Sequence, residues 1–333
     1  MIKVSVIIPV YNAEQYITKC LESLLGQTLS DMEIMVVDDR GTDGSMDKVR
    51  AIMQNNTTNK HIRIVEMPEN SGAWAARNAG MKLAIGEYVG FVDADDWCEP
   101  CMFDVLYNSA INIDADWSYG NTLKHAGNGK EISLRQKQIK NGLLDEKSRK
   151  DVLINHVALF WSGIYRRGFL QDNQIIFPES RFSEDSYFFW MVVMHAQRIS
   201  SVDAYLYHYV EHSSSVSRMP DRSKAFQKIN LFKALRGKLM SEGLYNDYAE
   251  EIDYLCLKKG YIIPMIIETI NNYGECKETI CGIRKELNKE IPNIYDNVYF
   301  KRDCRSAILL YMFKYMPVLM SKLLRVKYKR DPF

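Results

Sequence analysis

Tyr88-Val89-Gly90-Phe91-Val92-Asp93-Ala94-Asp95-Asp96 decides how the chain reads. The first five residues predict a strand, and the strand runs straight into three carboxylates within four positions. Such crowding is unfavourable unless a cation compensates. Carboxylate oxygens suit a hard divalent ion, Mg²⁺ or Mn²⁺, held together with substrate phosphates. If the chain stays extended, Asp93 and Asp95 point to one side. The same residues also read as a solvated acidic turn ahead of the helix that opens at Pro100.

Upstream, strand and helix patterns alternate, which predicts α/β architecture with a mostly parallel sheet and flanking helices. Residues 4–9 (VSVIIP) form a β-branched apolar run of the kind buried on both faces. Asn12 with Gln15 reads as a capping pair for a helix reaching about residue 27. Further strands are expected at 33–38, 62–67, 88–93 and 116–119, with helices at 45–54, 72–85 and 100–111. Residues 121–147 read as a polar excursion with a hairpin turn at Asn128-Gly129. Strands at 161–165 and 202–209 flank a helix at 186–195. From residue 221 to 291 the periodicity is helical, and 306–330 reads as a helix pair broken at Pro317. The expected organisation is a catalytic domain over residues 1–217 and a helical region over 218–333.

In an open parallel sheet, ligands bind beyond the carboxyl ends of the strands. Polar residues follow each strand here: Tyr11 and Asn12, Asp38 and Asp39, Glu69 and Asn70, Asp93 to Asp96. The first strand is followed by Pro9-Val10-Tyr11-Asn12-Ala13-Glu14-Gln15, with no G-x-G-x-x-G, which argues against a dinucleotide cofactor. That segment also lacks a Gly-rich, Lys/Arg-bearing triphosphate loop, which argues against a sugar-phosphate nucleotidyltransferase. A membrane-docked scaffold with a decayed catalytic domain is the non-enzymatic alternative.

The 333 residues carry a net charge of +1, so no global signal points to nucleic acid. Residues 301–333 differ, with nine Lys/Arg against Asp303 and Asp331. Seven scattered cysteines predict a reducing, cytoplasmic setting. Cys98 and Cys101 make a C-x-x-C without a second zinc-spaced pair, and read as loop cysteines. No run of eighteen apolar residues predicts a membrane span.

Four motifs in order carry a resemblance: Val6-Ile7-Ile8-Pro9-Val10-Tyr11-Asn12, Val36-Val37-Asp38-Asp39, Gly72 with Ala76-Arg77-Asn78-Ala79-Gly80, and Phe91-Val92-Asp93-Ala94-Asp95-Asp96. Together they resemble the signature of the family-2 inverting glycosyltransferases over about residues 2–217. The resemblance implies a GT-A fold and a nucleotide-sugar donor, with UDP the expected nucleotide. It implies that Pro9, Val10, Tyr11 and Glu14 line the nucleotide pocket and that Asp39 binds the base. By the same resemblance Asp93 lies near the ribose, Ala94 lines the nucleotide-sugar site, Asp95 ligates Mn²⁺ or Mg²⁺, and Arg77 lies near the donor. A surface helical Arg is the plain alternative for Arg77. The sequence departs from the family pattern at Arg40-Gly41 and at Val210, where an Arg is common.

Inverting transfer needs a base for the acceptor hydroxyl and charge stabilisation on the leaving diphosphate. By spacing alone, Ser183-Glu184-Asp185 reads as a helix start with acids favoured by the dipole. The resemblance assigns Asp185 as base and Glu184 as acceptor contact. Trp161 stands where similar enzymes shape the acceptor floor, and reads either as a sugar platform or as core. In the segment 207–217 (YHYVEHSSSVS), the resemblance assigns His212, ahead of His208, to the metal or diphosphate. The acceptor is expected to be a glycan or lipid-linked hydroxyl, as in cell-surface polysaccharide synthesis. The C-terminal basic helices read either as a peripheral contact with the inner leaflet or as an oligomer contact.

Overall fold

The computed structural model describes residues 1–212, 223–271 and 276–328. The chain divides into two compact units, Met1–Ser213 and Ser214–Phe333. The expected boundary near residue 217 lies outside the described residues.

The first unit is an α/β sandwich. Strands β1 (Val4–Val10), β2 (Met32–Asp38), β3 (His61–Glu66) and β4 (Tyr88–Phe91) alternate with helices α1 (Ile17–Leu25), α2 (Ser45–Gln54) and α3 (Ala73–Leu83). Then come β5 (Trp97–Cys98), α4 (Met102–Ile111), β6 (Trp117–His125), β7 (Glu131–Leu134), β8 (Gly142–Leu143) and α5 (Glu146–Asn155). The unit ends with β9 (Gly163–Arg166), α6 (Arg167–Asp172), α7 (Glu184–His195) and β10 (Arg198–Val210). The strand order is β3-β2-β1-β4-β9-β6-β10-β5, with β7 beside β6 and β8 beside β10. Along that path β3, β2, β1, β4, β6 and β10 run one way, and β9 and β5 oppose them. The sheet is thus mostly parallel, and the 122–134 hairpin turns at Gly129, whose φ is +80°.

Strand alternation splits the core into two layers. Val4, Val6, Ile8 and Val10 pack with α1 and α4 residues such as Leu21, Leu24, Phe103 and Leu106. Ile7 faces α3, where a Cβ on Gly80 would sit 2.5 Å from the Ile7 side chain. The glycine therefore sets how closely helix and sheet approach. On the same side an aromatic cluster joins β4, β9 and α7: Phe91 meets Phe177 edge-on at 5.2 Å, and Phe177 stacks on Phe188 at 4.2 Å. Register places Val10 opposite Asp38, Asp38 opposite Glu66, and Ile7 opposite Phe91. Three carboxyl ends therefore open on one edge.

His156 is buried between Trp117, Tyr119 and Phe189, and neither ring nitrogen has a hydrogen-bond partner. Burial lowers its pKa from 6.5 to about 3, whereas the unfolded chain takes up a proton near the ordinary value. The stability due to the neutral ring is complete above the unfolded pKa and is lost as pH falls through it toward 3. His156→Leu should flatten the fall in melting temperature between about pH 7 and about pH 5. An unchanged slope would show that other groups drive the acid sensitivity.

The second unit is helical among its described residues: α8 (Ser223–Ser241), α9 (Ala249–Leu255), a π-helical turn (Cys256–Ile262), α10 (Ile263–Asn271), α11 (Cys276–Glu290), α12 (Val298–Arg302), α13 (Cys304–Tyr315) and α14 (Pro317–Tyr328). Gly260 in the π-turn lets α8 approach, because a Cβ there would lie 2.7 Å from Phe232 Cβ. Asp303 caps α13 by accepting the Ser306 N–H at 3.1 Å, and α14 starts at Pro317. Among the described residues no helix is long and apolar enough to cross a membrane.

Candidate active site

The loops after β1 and β2 brace each other. Asn12 has φ +49° and does not cap α1, which begins five residues later at Ile17. Its Oδ1 instead accepts the Thr42 N–H at 2.8 Å. Glu14 Oε2 accepts the Gly44 N–H at 3.1 Å, and the Glu14 N–H donates to Asp43 at 2.9 Å. A Cβ on Gly41 would lie 2.8 Å from the Asn12 nitrogen, so glycine is required for this contact. Arg40 donates from Nε to the Met67 carbonyl at 2.5 Å and pairs with Glu66 at 3.3 Å. Arg40-Gly41 thus tie the ends of β1, β2 and β3 together. Beside this brace Pro9 is half-buried, Val10 buried and Tyr11 half-exposed.

Asp39 is buried and accepts two backbone N–H groups at 2.9 Å each, from Ser71 and Gly72. Burial raises its pKa, and those two hydrogen bonds oppose the rise. Asp39 therefore anchors the entry of α3, the helix that carries Arg77.

Past β4 the acids separate by environment. Asp96 is buried, accepting from Tyr207 Oη at 2.6 Å and from the Val210 N–H at 2.7 Å. Burial, then the charges of Asp95 and Asp93, push its pKa well up. Tyr207 Oη also accepts the Asp93 N–H at 3.1 Å, so β10 holds the acidic turn from behind. Ala94 is buried, while Asp93 and Asp95 are part-exposed. Burial and the neighbouring Asp93 raise Asp95 to about 6.

Arg77 is not a surface residue. Its side chain is 6% exposed and lies over the Phe160 and Phe177 rings at 4.7 and 5.3 Å. One nitrogen donates to Asp93 at 2.8 Å and another to Glu184 at 2.9 Å. Burial works against its charge, but Asp93 and Glu184 outweigh it and raise the pKa. The guanidinium fork thereby joins the acidic turn after β4 to the first residue of α7. Glu184 is itself mostly covered, its side chain 12% exposed; burial and the Asp185 charge raise it to about 7, with Arg77 opposing. Asp185 is next, its Oδ1 accepting the Ser186 N–H at 2.7 Å. The preceding Ser183 has φ +67° and makes no side-chain cap, so the serine does not cap α7, and its first turn carries the two acids that the helix dipole favours.

Trp161 is half-buried, stacked on Tyr209 at 5.7 Å and packed against the β-sheet core. His212 stacks on Tyr16 at 4.0 Å. The serines at 213–217 lie outside the described residues. His208 is built into the sheet: it bonds Glu99 at 2.8 Å and His125 at 2.9 Å, and lies flat on Trp97 at 3.4 Å. Cys98 is buried and Cys101 exposed, and both are free.

Among the described residues no three of His, Cys, Asp and Glu gather as a metal-binding group. The chemistry of Asp95 nonetheless suits a divalent cation. Its carboxylate is part-exposed, and it is raised by burial and by the like charge of Asp93, which a cation would offset. One or two carboxylates, completed by substrate phosphates and water, is a usual shell for Mg²⁺. Sequence reasoning named Asp93, Glu184 and Arg77 but not their union. It also missed the Tyr207–Asp96 pair, because partners more than a hundred positions apart leave no local spacing signal.

The pattern of the family described as Glycosyl transferase family 2 matches residues 5–173. An uncharacterised glycosyltransferase of Bacillus subtilis, EpsJ, is 31% identical, covering 79% of this chain and 77% of that protein. The poly(ribitol-phosphate) β-N-acetylglucosaminyltransferase TarS of Staphylococcus aureus is 32% identical, over 66% of this chain and 38% of its own length. The crystal structure of TarS residues 1–349 superposes with TM-score 0.63 at 19% identity, covering 91% of this chain and 93% of that one. The same protein has been solved with UDP-GlcNAc (TM-score 0.57, 21% identity, 89% and 91% coverage). A mannosyltransferase of Pyrobaculum calidifontis, solved with GDP-mannose and Mn²⁺, superposes with TM-score 0.51 at 16% identity, covering 99% and 88%. With its mixed sheet, flanking helices and acidic turn at the strand ends, the chain belongs to glycosyl transferase family 2 and is a glycosyltransferase with a GT-A-type fold.

Proposed function

We propose that the protein transfers a sugar from a UDP-sugar, with inversion, to a hydroxyl of a glycan or lipid-linked acceptor in cell-surface polysaccharide synthesis. One observation carries the reading: Arg77 bonds Asp93 and Glu184 at once. The fork makes one site of two carboxylate groups that an enzyme of this kind needs for different jobs. Pro9, Val10 and Tyr11, with the Glu14 brace, border the nucleotide. Asp39 takes the base side and Asp93 with Ala94 the ribose side. TarS, solved with UDP-GlcNAc, supports UDP as the nucleotide.

Asp185 accepts the proton of the acceptor hydroxyl as that oxygen attacks the anomeric carbon. Glu184, held by Arg77, orients the acceptor, and Trp161 offers it a flat face. A Mn²⁺ or Mg²⁺ ion held by Asp95, with His212, would supply charge neutralisation for the leaving diphosphate. The reading places the enzyme peripherally on the cytoplasmic face of a membrane, where lipid-linked acceptors lie.

The test is calorimetric titration with UDP and Mn²⁺. Asp95→Ala should weaken metal-dependent UDP binding about 100-fold, the scale of a lost charged ligand. In the unchanged protein the affinity should fall as pH drops through about 6, where Asp95 takes up a proton. Raising Mn²⁺ should shift that midpoint lower, because metal and proton compete for one carboxylate. UDP binding indifferent to Asp95→Ala and to Mn²⁺ would remove the metal from the reading.

A further inference from the structure

Helices α13 and α14 are apolar on two sides. Ser306, Leu310 and Phe313 of α13 and Met320 and Leu324 of α14 are buried within the second unit. These include part of the apolar run that the sequence alone offers to a membrane, and they serve the unit's own core. A different set remains uncovered: Ile308, Tyr311, Tyr315, Met316, Leu319 and Leu323 are each between 44% and 58% exposed. Ile308, Tyr311 and Tyr315 follow helical spacing, and the two tyrosine rings touch at 4.7 Å. At 100° per residue this stripe lies nearly opposite the buried residues of α13, and on α14 Leu319 and Leu323 lie beside the buried Met320 and Leu324. Six large apolar side chains in sixteen positions exceed the scattered exposure of an ordinary surface and mark an interaction face.

Charge identifies what covers it. Between Cys304 and Tyr328 there are five Lys/Arg (Arg305, Lys314, Lys322, Arg325 and Lys327) and no Asp or Glu. Arg305, Lys314 and Lys322 are exposed, and none has an acidic partner among the described residues. A second copy seated by two-fold symmetry would set this patch against itself, like charge facing like charge. An anionic bilayer surface satisfies both features, taking the apolar stripe into its acyl boundary and the cations at its headgroups. Each helix has twelve residues, about 18 Å long, too short to span a hydrocarbon core of about 30 Å. The pair must lie on the bilayer rather than cross it.

We propose that the α13–α14 pair is a membrane-surface anchor for anionic lipid, with Ile308, Tyr311, Tyr315, Leu319 and Leu323 inserted and Arg305, Lys314 and Lys322 on the headgroups. The inference rests on and deepens the peripheral placement proposed above, and vesicle binding is measured without sugar transfer, so the anchor and the transfer chemistry can fail separately. The full chain is sedimented with vesicles of phosphatidylcholine alone and of phosphatidylcholine mixed with phosphatidylglycerol. Binding is expected only to the mixed vesicles and weakens in high salt. Lys314→Glu with Lys322→Glu should lower it about tenfold or more. Ile308→Ser with Leu319→Ser and Leu323→Ser should abolish it without changing the melting temperature, because all three side chains are exposed. Absence of binding, with or without concentration-dependent self-association, would overturn the proposal, as would binding that neither variant changes. Self-association suppressed by the serine variant would identify a second copy as the cover.

Discussion

Arg77→Met is expected to cut sugar transfer by about 100-fold or more and to lower the melting temperature clearly. Removing one partner of a buried ion pair costs about 3–5 kcal/mol, because the remaining charge is left without compensation. Here two acids are left at once, Asp93 on the turn after β4 and Glu184 at the start of α7. Methionine fills much of the same volume between Phe160 and Phe177, so the loss reports charge rather than a cavity. Arg77→Lys should recover only part of the activity, since one ammonium cannot reproduce a fork with two separate nitrogens. The pH profile separates this role from simple support of the fold. Arg77 holds Glu184 down against burial and the Asp185 charge, and the balance of the three puts it near 7. Without the guanidinium the Glu184 pKa must rise, so the acid limb of the rate profile moves to higher pH. A loss of stability with an unmoved profile would reduce Arg77 to a structural residue.

That fork also shows what sequence can and cannot carry. The strands at 4–10, 32–38 and 88–91 are legible because apolar runs buried on both faces have one fate, and the edge strand at 61–66 because Ile62 and Ile64 alternate with polar residues. The polar residues after them are legible because a parallel sheet presents its ligands at the carboxyl ends. Local rules fail where a distant partner wins. Asn12 with Gln15 has the spacing of a helix cap, yet Asn12 bonds Thr42 across thirty positions and α1 starts at Ile17. Arg77 sits on a helix where a solvated Arg is ordinary, and contacts between 16 and 107 positions away, with Asp93, Phe160, Phe177 and Glu184, bury it. The apolar residues of α13 carry the same ambiguity. Period alone cannot say that Leu310 and Phe313 face the unit's core while Ile308 and Tyr311 face outward.

Asp185→Asn is the complementary experiment, with a larger expected effect on the chemical step. The amide keeps the size of the carboxylate, and its oxygen can still accept the Ser186 N–H that Asp185 Oδ1 takes at 2.7 Å. It cannot take a proton from an acceptor hydroxyl. Loss of a positioned base typically costs about 10²–10⁴ in rate, and transfer should fall within that range while UDP binding is unchanged. The same substitution removes the charge that, after burial, raises Glu184 most. Glu184 should therefore ionise below about 7, and the acid limb of the residual activity should move to lower pH. Arg77→Met moves that limb the other way, so the two variants read one electrostatic network from opposite sides. Both are followed by rate against pH at saturating donor, with UDP affinity as the control. Asp185→Asn with undiminished transfer would place the base elsewhere. Equal falls in transfer and UDP affinity would assign Asp185 to donor binding rather than to proton removal.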